Sequence, residues 1–183
     1  MPEYEWITDQ IFTVAEFFAP DECRSAIAKA EATGFDAAPI NGMFGPEMRP
    51  DVRNNSRVMI DDVSMAEMLW ERARDYVPLK IGPWRAVGVN ERFRYYRYDL
   101  GQQFNWHYDG AFERESGERS QLTFMIYLND GFEGGETSFE DTIIVPREGK
   151  ALFFIHQIRH KGEPVIRGRK YALRTDVMYQ YEV

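Results

Sequence analysis

The apolar positions of the chain change their spacing near Ala86. Before that point, two segments carry apolar residues at spacings of three and four, which is typical of amphipathic helices. After it, apolar and polar residues alternate in short runs, which is typical of strands with one buried face. The pattern predicts two helices followed by a sheet-rich segment.

The first predicted helix follows a strand over residues 10–18 and begins at Pro20. Asp21 and Glu22 lie in its first turn, and Gly34 lies just past its end, as helix termini favour. Its apolar stripe consists of Cys23, Ala26, Ile27 and Ala30.

The second predicted helix begins with a capping box formed by Ser64 and Glu67, flanked by the apolar pair Val63 and Met68. Pro78 is expected to end it. One face carries Met65, Met68, Leu69, Ala73 and Tyr76. Such a Met-rich stripe indicates packing against a core.

The second half of the chain consists of short runs with strand-like alternation, separated by turn signals such as Asn129-Asp130-Gly131. These runs cover residues 87–98, 103–109, 121–129, 136–139, 142–145, 151–157 and 170–181. The order predicts a mainly β fold with flanking α-helices, in which a small sandwich or barrel is braced by helices on one side. We expect a single domain over 1–183, with helical support over about 1–85 and the β core over about 86–183.

Two polar segments are predicted to be exposed loops. Residues 41–55 hold two Gly and two Pro, and residues 111–120 follow directly on a possible metal motif. Either segment is a simple connector or a lid over a site.

The composition narrows the class of protein. A hydrophobic fraction of 44% with 15% aromatic residues in 183 residues excludes a disordered chain. A net charge of −8 makes general nucleic-acid binding unexpected. Cations nevertheless cluster between Arg159 and Arg174, where a small acidic ligand could bind.

The expected compartment is the cytoplasm. Cys23 is the only cysteine, which excludes an intrachain disulfide and fits a reducing environment. The first residues show no secretory signal, and the apolar runs are too short to span a bilayer, so no membrane association is expected.

His107 and Asp109 are two residues apart within a predicted strand, so both side chains are expected on one face. One more histidine from a neighbouring strand would complete two imidazoles and one carboxylate, the ligand set of non-haem ferrous oxygenases. With three histidines and 30 acidic residues, composition alone gives about 0.5 such triplets. The surrounding sequence must therefore decide.

That surrounding sequence resembles the prolyl 4-hydroxylase-type 2-oxoglutarate oxygenases. The resemblance covers roughly residues 87–178 and rests on the runs Arg97–Asp109, Leu122–Asp130, Gly134–Phe139, Val145–Phe154 and His160–Val165 with Gly168 and Lys170. It implies a double-stranded β-helix (a jelly-roll, cupin-like core). It also implies Fe(II), 2-oxoglutarate and O2 as cofactor and cosubstrates, and leaves ascorbate open as an accessory reductant.

The resemblance implies a role for each site residue. His107, Asp109 and His160 would bind the iron, and Lys170 would hold the distal carboxylate of 2-oxoglutarate, since a buried carboxylate needs a charged partner. Tyr98 matches the phenol partner of that carboxylate. Thr123 is a weaker candidate for a third contact.

Two assignments keep an alternative. In an extended strand His156 would share a face with His160, but the Gly-x-Pro-Val sequel and the step to Lys170 belong to His160. His156 is then expected to be a hydrogen-bonded strand residue. Arg174 lies on the same strand face as Lys170 and is the alternate carboxylate clamp.

The implied activity is hydroxylation of a C–H bond with release of succinate and CO2. Asp109 favours this reaction because related halogenases lack the carboxylate. Phe104 and Asp176 stand where prolyl hydroxylases often carry Tyr and Trp, so a prolyl side chain, another protein side chain and a small molecule all remain candidate substrates. The competing functions are a cupin-like metal enzyme that does not use 2-oxoglutarate and a non-catalytic jelly-roll binding module.

Overall fold

The computed structural model describes residues 3–42 and 44–182. Two helices lie in the first half, α1 (Pro20–Thr33) and α2 (Val63–Ala73). Within the described ranges, neither helix has the length and apolar character needed to cross a membrane.

Within residues 3–42 and 44–182, eighteen strands make up the rest of the regular structure. Those in the first half are β1 (Tyr4–Trp6), β2 (Ile11–Val14), β3 (Asp36–Ala37), β4 (Ile40–Gly42), β5 (Gly45–Glu47), β6 (Ser56–Asp61), β7 (Lys80–Ile81), β8 (Trp84–Val89) and β9 (Arg92–Tyr98). Those in the second half are β10 (Phe104–His107), β11 (Arg119–Tyr127), β12 (Glu133–Gly134), β13 (Thr137–Phe139), β14 (Ile143–Ile144), β15 (Ala151–Ile155), β16 (His160–Gly162), β17 (Val165–Arg167) and β18 (Lys170–Tyr181).

Most strands belong to one large antiparallel sheet. Its order is β1-β2-β15-β11-β18-β9-β6-β3, and β8 extends it by pairing with both β18 and β7. The long strand β18 is central, because β11 covers one of its edges while β9 and β8 share the other. Backbone pairing on both edges fixes the positions of its side chains.

A smaller antiparallel sheet has the order β10-β16-β13-β14. In its first pair, His107 and His160 are direct cross-strand partners. Two separate two-stranded sheets, β4 with β5 and β12 with β17, complete the strand pairing of the described residues.

The large sheet uses its two faces differently, as strand alternation requires. One face packs against both helices in the main core, where Phe93, Phe124 and Phe153 from three strands meet Leu69 of α2. The opposite face points toward the small sheet. It carries Tyr96, Tyr98, Thr123, Met125, Lys170, Ala172 and Arg174, which line a pocket. The predicted mainly β fold with flanking helices is confirmed.

The two helices differ in how well their ends were predicted. Helix α1 begins at Pro20 and is followed by Gly34, as the sequence indicates. Helix α2 begins two residues earlier than the predicted capping box requires, because Asp62 and not Ser64 is the N-cap, and its Oδ1 accepts a hydrogen bond from the Met65 backbone at 3.0 Å. The capping box of Ser64 is therefore wrong. The helix also ends at Ala73, before Pro78 is reached.

The strand boundaries also differ from the sequence pattern at informative places. The run 87–98 is two strands, β8 and β9, separated at residues 90–91. The segment 41–55 contains part of the β4–β5 hairpin, although residue 43 lies outside the described residues. Strand β6, which follows that segment, has no predicted counterpart.

Candidate metal centre

The structure brings His107, Asp109 and His160 together. Their ligand atoms all lie within 4.8 Å of one another. Nε2 of His107 lies 3.9 Å from Oδ1 of Asp109, and Nε2 of His160 lies 3.6 Å from its Oδ2. Strand β10 ends at His107, so Asp109 reaches the same side from beyond the strand end and not by strand alternation.

Both imidazoles are oriented by the backbone. Nδ1 of His107 lies 2.7 Å from the Asn105 carbonyl, and Nδ1 of His160 lies 3.1 Å from the Ile158 carbonyl. A carbonyl can only accept, so each Nδ1 carries the proton and each Nε2 keeps its lone pair for a metal. Burial lowers the pKa of His107 to about 3 and also lowers the pKa of His160, so both rings are neutral at pH 7.

The Asp109 carboxylate is held ionised. Burial by itself raises the pKa of a carboxyl group, but the positive charge of Arg174 and the hydrogen bond from Thr123 act the other way and hold the pKa of Asp109 below its usual range. Oγ1 of Thr123 donates to Oδ2 at 2.5 Å. Two neutral imidazoles and one ionised carboxylate, all buried or half-buried, match the donor set that ferrous iron requires.

Thr123 and Arg174 both lie at the Asp109 end of the pocket. Nη2 of Arg174 lies 3.2 Å from Oδ2 of Asp109 and 3.0 Å from Oδ1 of Asp176. The guanidinium group therefore pairs with two carboxylates of the protein. This position differs from the distal carboxylate contact that the sequence suggested for both residues.

His156 lies outside the triad. Its Nε2 is 2.9 Å from Ser120 Oγ, and its Nδ1 is 3.1 Å from Thr123 Oγ1. The alternation argument fails here, since strand β15 ends at Ile155 and a turn carries the chain into the small sheet before His160. The interpretation of His156 as a hydrogen-bonded residue agrees with these contacts, although it lies in the turn.

Lys170 occupies the opposite end of the same pocket. Its side chain is 3% exposed, and Nζ donates to the Gly135 carbonyl at 2.6 Å. Burial lowers the pKa of Lys170 to about 8. Among the described residues no carboxylate forms an ion pair with this ammonium, which is the arrangement expected of a group that binds an anionic ligand.

Aromatic and hydroxyl groups surround that ammonium. The ring of Tyr98, the direct β9 partner of Lys170, lies 5.1 Å from Nζ, and the ring of Tyr127 lies 5.4 Å away. Tyr127 Oη is hydrogen bonded to Thr137 Oγ1 at 2.7 Å. The sequence analysis missed Tyr127 and Thr137. Their inward positions on β11 and β13 were the only signal available.

A second space opens on the other side of the triad. It shares His107, Asp109 and Arg174 with the first pocket and extends toward Arg53, Arg57 and Arg94. Val52 and Arg53 from the predicted 41–55 loop line it, whereas no residue of 111–120 does. The sequence analysis did not identify this cleft.

Comparison with known proteins finds similarity to one family over part of the chain. Residues 93–175 match the family described as the 2OG-Fe(II) oxygenase superfamily. Prolyl 4-hydroxylase 13 of Arabidopsis thaliana is 31% identical over 111 residues, covering 45% of this chain and 40% of that protein. Probable prolyl 4-hydroxylase 3 of the same plant is 24% identical over 198 residues, covering 88% of this chain and 66% of that protein. The chain thus spans less than two thirds of the length of these relatives.

Solved structures show the same fold. The viral collagen prolyl hydroxylase of Paramecium Bursaria Chlorella virus-1, in complex with 2OG, superposes with a TM-score of 0.68 at 19% identity, covering 95% of this chain and 97% of that one. A Pseudomonas putida prolyl-4-hydroxylase gives 0.67 at 18% identity, covering 96% and 94%. The expected double-stranded β-helix is confirmed. Residues 93–175 are therefore similar to the 2OG-Fe(II) oxygenase superfamily, and the chain has the fold of the prolyl 4-hydroxylase structures.

Proposed function

We propose that this protein is an Fe(II)- and 2-oxoglutarate-dependent dioxygenase that hydroxylates a C–H bond and releases succinate and CO2. The single observation that carries the proposal is the pocket shared by the His107, Asp109 and His160 cluster and the buried ammonium of Lys170. A metal-binding module would need only the first of these, and a dicarboxylate-binding module only the second.

The residues present fit both groups. His107, Asp109 and His160 would hold the iron, and Lys170 would hold the far carboxylate of 2-oxoglutarate, with Tyr98 beside it. When bound, iron, 2-oxoglutarate and O2 supply the oxidising power that breaks an unactivated C–H bond.

The chain itself supplies orientation and a dry pocket. The Phe104 ring stacks on the His107 imidazole with centroids 3.4 Å apart, and the Phe154 ring lies 4.5 Å from that of His160. These rings hold the two imidazoles in place and cover one side of each. Met125 and Ala172 line the wall between the triad and Lys170, so the pocket is charged at its two ends and apolar between them.

The proposed substrate class depends on the relatives and on where this chain differs from prolyl hydroxylases. The names of the relatives favour a protein side chain such as proline. Asp176 is 1% exposed and pairs with Arg174, so a buried ion pair occupies the place where prolyl hydroxylases often carry Trp. The proposed substrates therefore include another protein side chain or a small molecule in addition to a prolyl side chain.

Succinate release from 2-oxoglutarate under ferrous conditions tests the proposal. We expect slow uncoupled turnover in the unmodified protein and none in Asp109→Ala. Asp141→Ala, which removes an exposed carboxylate, is the matched control and should keep the activity. Equal turnover in Asp109→Ala and the unmodified protein would contradict the metal assignment.

The same assay separates the competing functions. A cupin-like metal enzyme, which would use all three histidines, would bind a metal but release no succinate, and a binding module would do neither. Lys170→Ala should raise the 2-oxoglutarate concentration needed far more than it weakens iron binding. If Arg174→Ala has that effect instead, the clamp is misassigned.

A further inference from the structure

The cleft on the far side of the triad is strongly cationic, and it adjoins the Lys170 pocket at His107, Asp109 and Arg174. It has a volume of about 360 Å3, which is within the range of small-ligand sites. Four arginines line it, Arg53, Arg57, Arg94 and Arg174, together with the metal-site residues His107 and Asp109. Arginine side chains usually lie in solvent, so four around one small cavity need an explanation.

Arg53 is the most telling of the four. Its side chain is only 4% exposed, and its guanidinium group lies over the rings of Phe104 and Tyr96, with centroids 4.3 Å and 4.7 Å away. Nε donates to Asn55 Oδ1 at 2.7 Å, but the buried Nη2 has no hydrogen-bond partner. A buried, rigidly stacked guanidinium with a free donor is preorganised to bind an anion.

Arg57 and Arg94 extend the same surface from neighbouring strands. Among the residues that the structure describes, Arg57 on β6 has no ion-pair partner. Burial lowers the pKa of Arg57, and the like charges of Arg53 and Arg94 contribute in the same direction. Arg94 on β9 pairs with the carboxylate of Asp176, and its Nη1 lies 3.3 Å from Oδ2.

The charges of the cleft do not balance. Four guanidinium groups line the cleft, with the Asp109 carboxylate in its wall. Arg174 pairs with Asp109 and with Asp176 behind it, and Arg94 also pairs with Asp176. A ferrous ion and a 2-oxoglutarate dianion carry equal and opposite charges, so binding both leaves the excess unchanged. The positive charge near Arg53, Arg57 and Arg94 remains for a third ligand.

We propose that the substrate of this enzyme carries a carboxylate, which Arg53 and Arg57 bind in the cleft with support from Arg94. The planar forks of two guanidinium groups suit a carboxylate because each offers two parallel donors. Anchored there, a small substrate would present a neighbouring C–H bond toward the triad at the cleft's inner wall. This role as a substrate site rests on the proposed function, whereas anion binding by the cleft does not.

Nuclear magnetic resonance of the arginine side chains tests the proposal without turnover. The sample is 15N-labelled protein loaded with Zn(II) and 2-oxoglutarate, and the probes are N-acetylglycine and N-acetylglycinamide, which differ only in the carboxylate. We expect N-acetylglycine to shift the Nε–Hε signals of Arg53 and Arg57 with a Kd of about 1–10 mM. The amide should shift neither. Shifts from both probes, or from neither, would overturn the proposal.

Variants separate a specific site from general attraction. Arg57→Gln should weaken N-acetylglycine binding about tenfold, and Arg57→Lys, which keeps the charge but loses the fork, should fall between. Arg167→Gln is the matched control, because Arg167 is 75% exposed, pairs with Glu133 and lies outside the cleft. Binding that is unchanged in Arg57→Gln, with the fold intact by its backbone spectrum, would refute the site.

Two further arms complete the design. If inorganic phosphate binds more tightly than N-acetylglycine, the cleft prefers a phosphate to a carboxylate, and the proposed substrate class is wrong. If 2-oxoglutarate itself shifts Arg57 and loses affinity in Arg57→Gln, the cleft is the cosubstrate site and the proposal is wrong. Succinate release by the iron-loaded protein is measured in parallel, so that absent turnover with intact acid binding disproves only the proposed function.

Discussion

Nη2 of Arg174 lies 3.2 Å from Oδ2 of Asp109 and 3.0 Å from Oδ1 of Asp176, so one buried guanidinium pairs with two carboxylates. One of these carboxylates is a candidate iron ligand and the other lies behind it. Removal of the cation would leave both acids buried without their main partner, which is among the costliest changes in a protein interior.

We expect Arg174→Met to lower the free energy of unfolding by about 3–5 kcal/mol, measured by urea denaturation of the metal-free protein at neutral pH. Arg167→Met removes an equally large but exposed cation and should change it by less than about 0.5 kcal/mol. A similar loss in both variants would mean that the pairing with Asp109 and Asp176 contributes nothing specific.

The affinity for 2-oxoglutarate should fall at alkaline pH. Burial lowers the pKa of Lys170 to about 8, and the dicarboxylate binds the charged ammonium. Above that pKa the protonated fraction falls about tenfold per pH unit, so binding measured calorimetrically with Zn(II)-loaded protein should weaken between about pH 8 and about pH 9.5. Below about pH 7 the affinity should be constant.

Lys170→Met provides the control for this pH dependence. Its residual binding should be weak and flat over the same range, since no titrating group remains at that end of the pocket. A parallel decline in the variant and the unmodified protein would assign the effect to another group.

Gly135 should be needed for the cosubstrate clamp. It has a φ of +68°, and a Cβ there would lie 3.1 Å from Cδ of Lys170 and 3.2 Å from the Phe132 ring. Gly135→Ala should therefore displace Lys170 and raise the Kd for 2-oxoglutarate about tenfold or more while leaving the Zn(II) affinity unchanged. Gly101→Ala has a similar φ of +76° but open space around it, so it should alter stability and not the Kd.

The start of helix α2 offers a test of local structure. Asp62→Ala removes the hydrogen bond to the Met65 backbone and should lower the free energy of unfolding by about 1 kcal/mol. Ser64→Ala, at the position that the sequence suggested as the cap, should change it by less than about 0.5 kcal/mol. Thermal denaturation of the two variants distinguishes the two caps, and the reverse order would contradict the observed one.

The helix cap illustrates what local patterns cannot decide. Asp62 and Ser64 are both good capping residues, and the choice depends on Asp62 also meeting Lys29 of α1 at 2.7 Å, which is a tertiary contact. Strand β6 was missed for a related reason. It follows a Gly- and Pro-rich segment and has no fully buried residue, so its sequence lacks the alternation of a half-buried strand.

The site was predictable where its residues are close in sequence or match a family motif. His107 and Asp109 lie two residues apart, and the placement of His160 followed from the sequence around it. Alternation alone could not separate His156 from His160, because residues four apart in a strand share a face, and the turn that separates them was not predicted. The arginine cleft could not be predicted from the sequence. Its arginines, Arg53, Arg57 and Arg94, lie in separate parts of the chain, and each by itself is typical of a surface charge.

Strand β18 carries Lys170 at the cosubstrate end of the pocket and Arg174 at the Asp109 end. Four residues of extended backbone span about 13 Å, and neighbours on both edges prevent that length from changing. The backbone positions that carry the two side chains are therefore held a fixed distance apart. We expect a diacid one methylene longer than 2-oxoglutarate to bind more weakly, because the backbone cannot lengthen the pocket along β18.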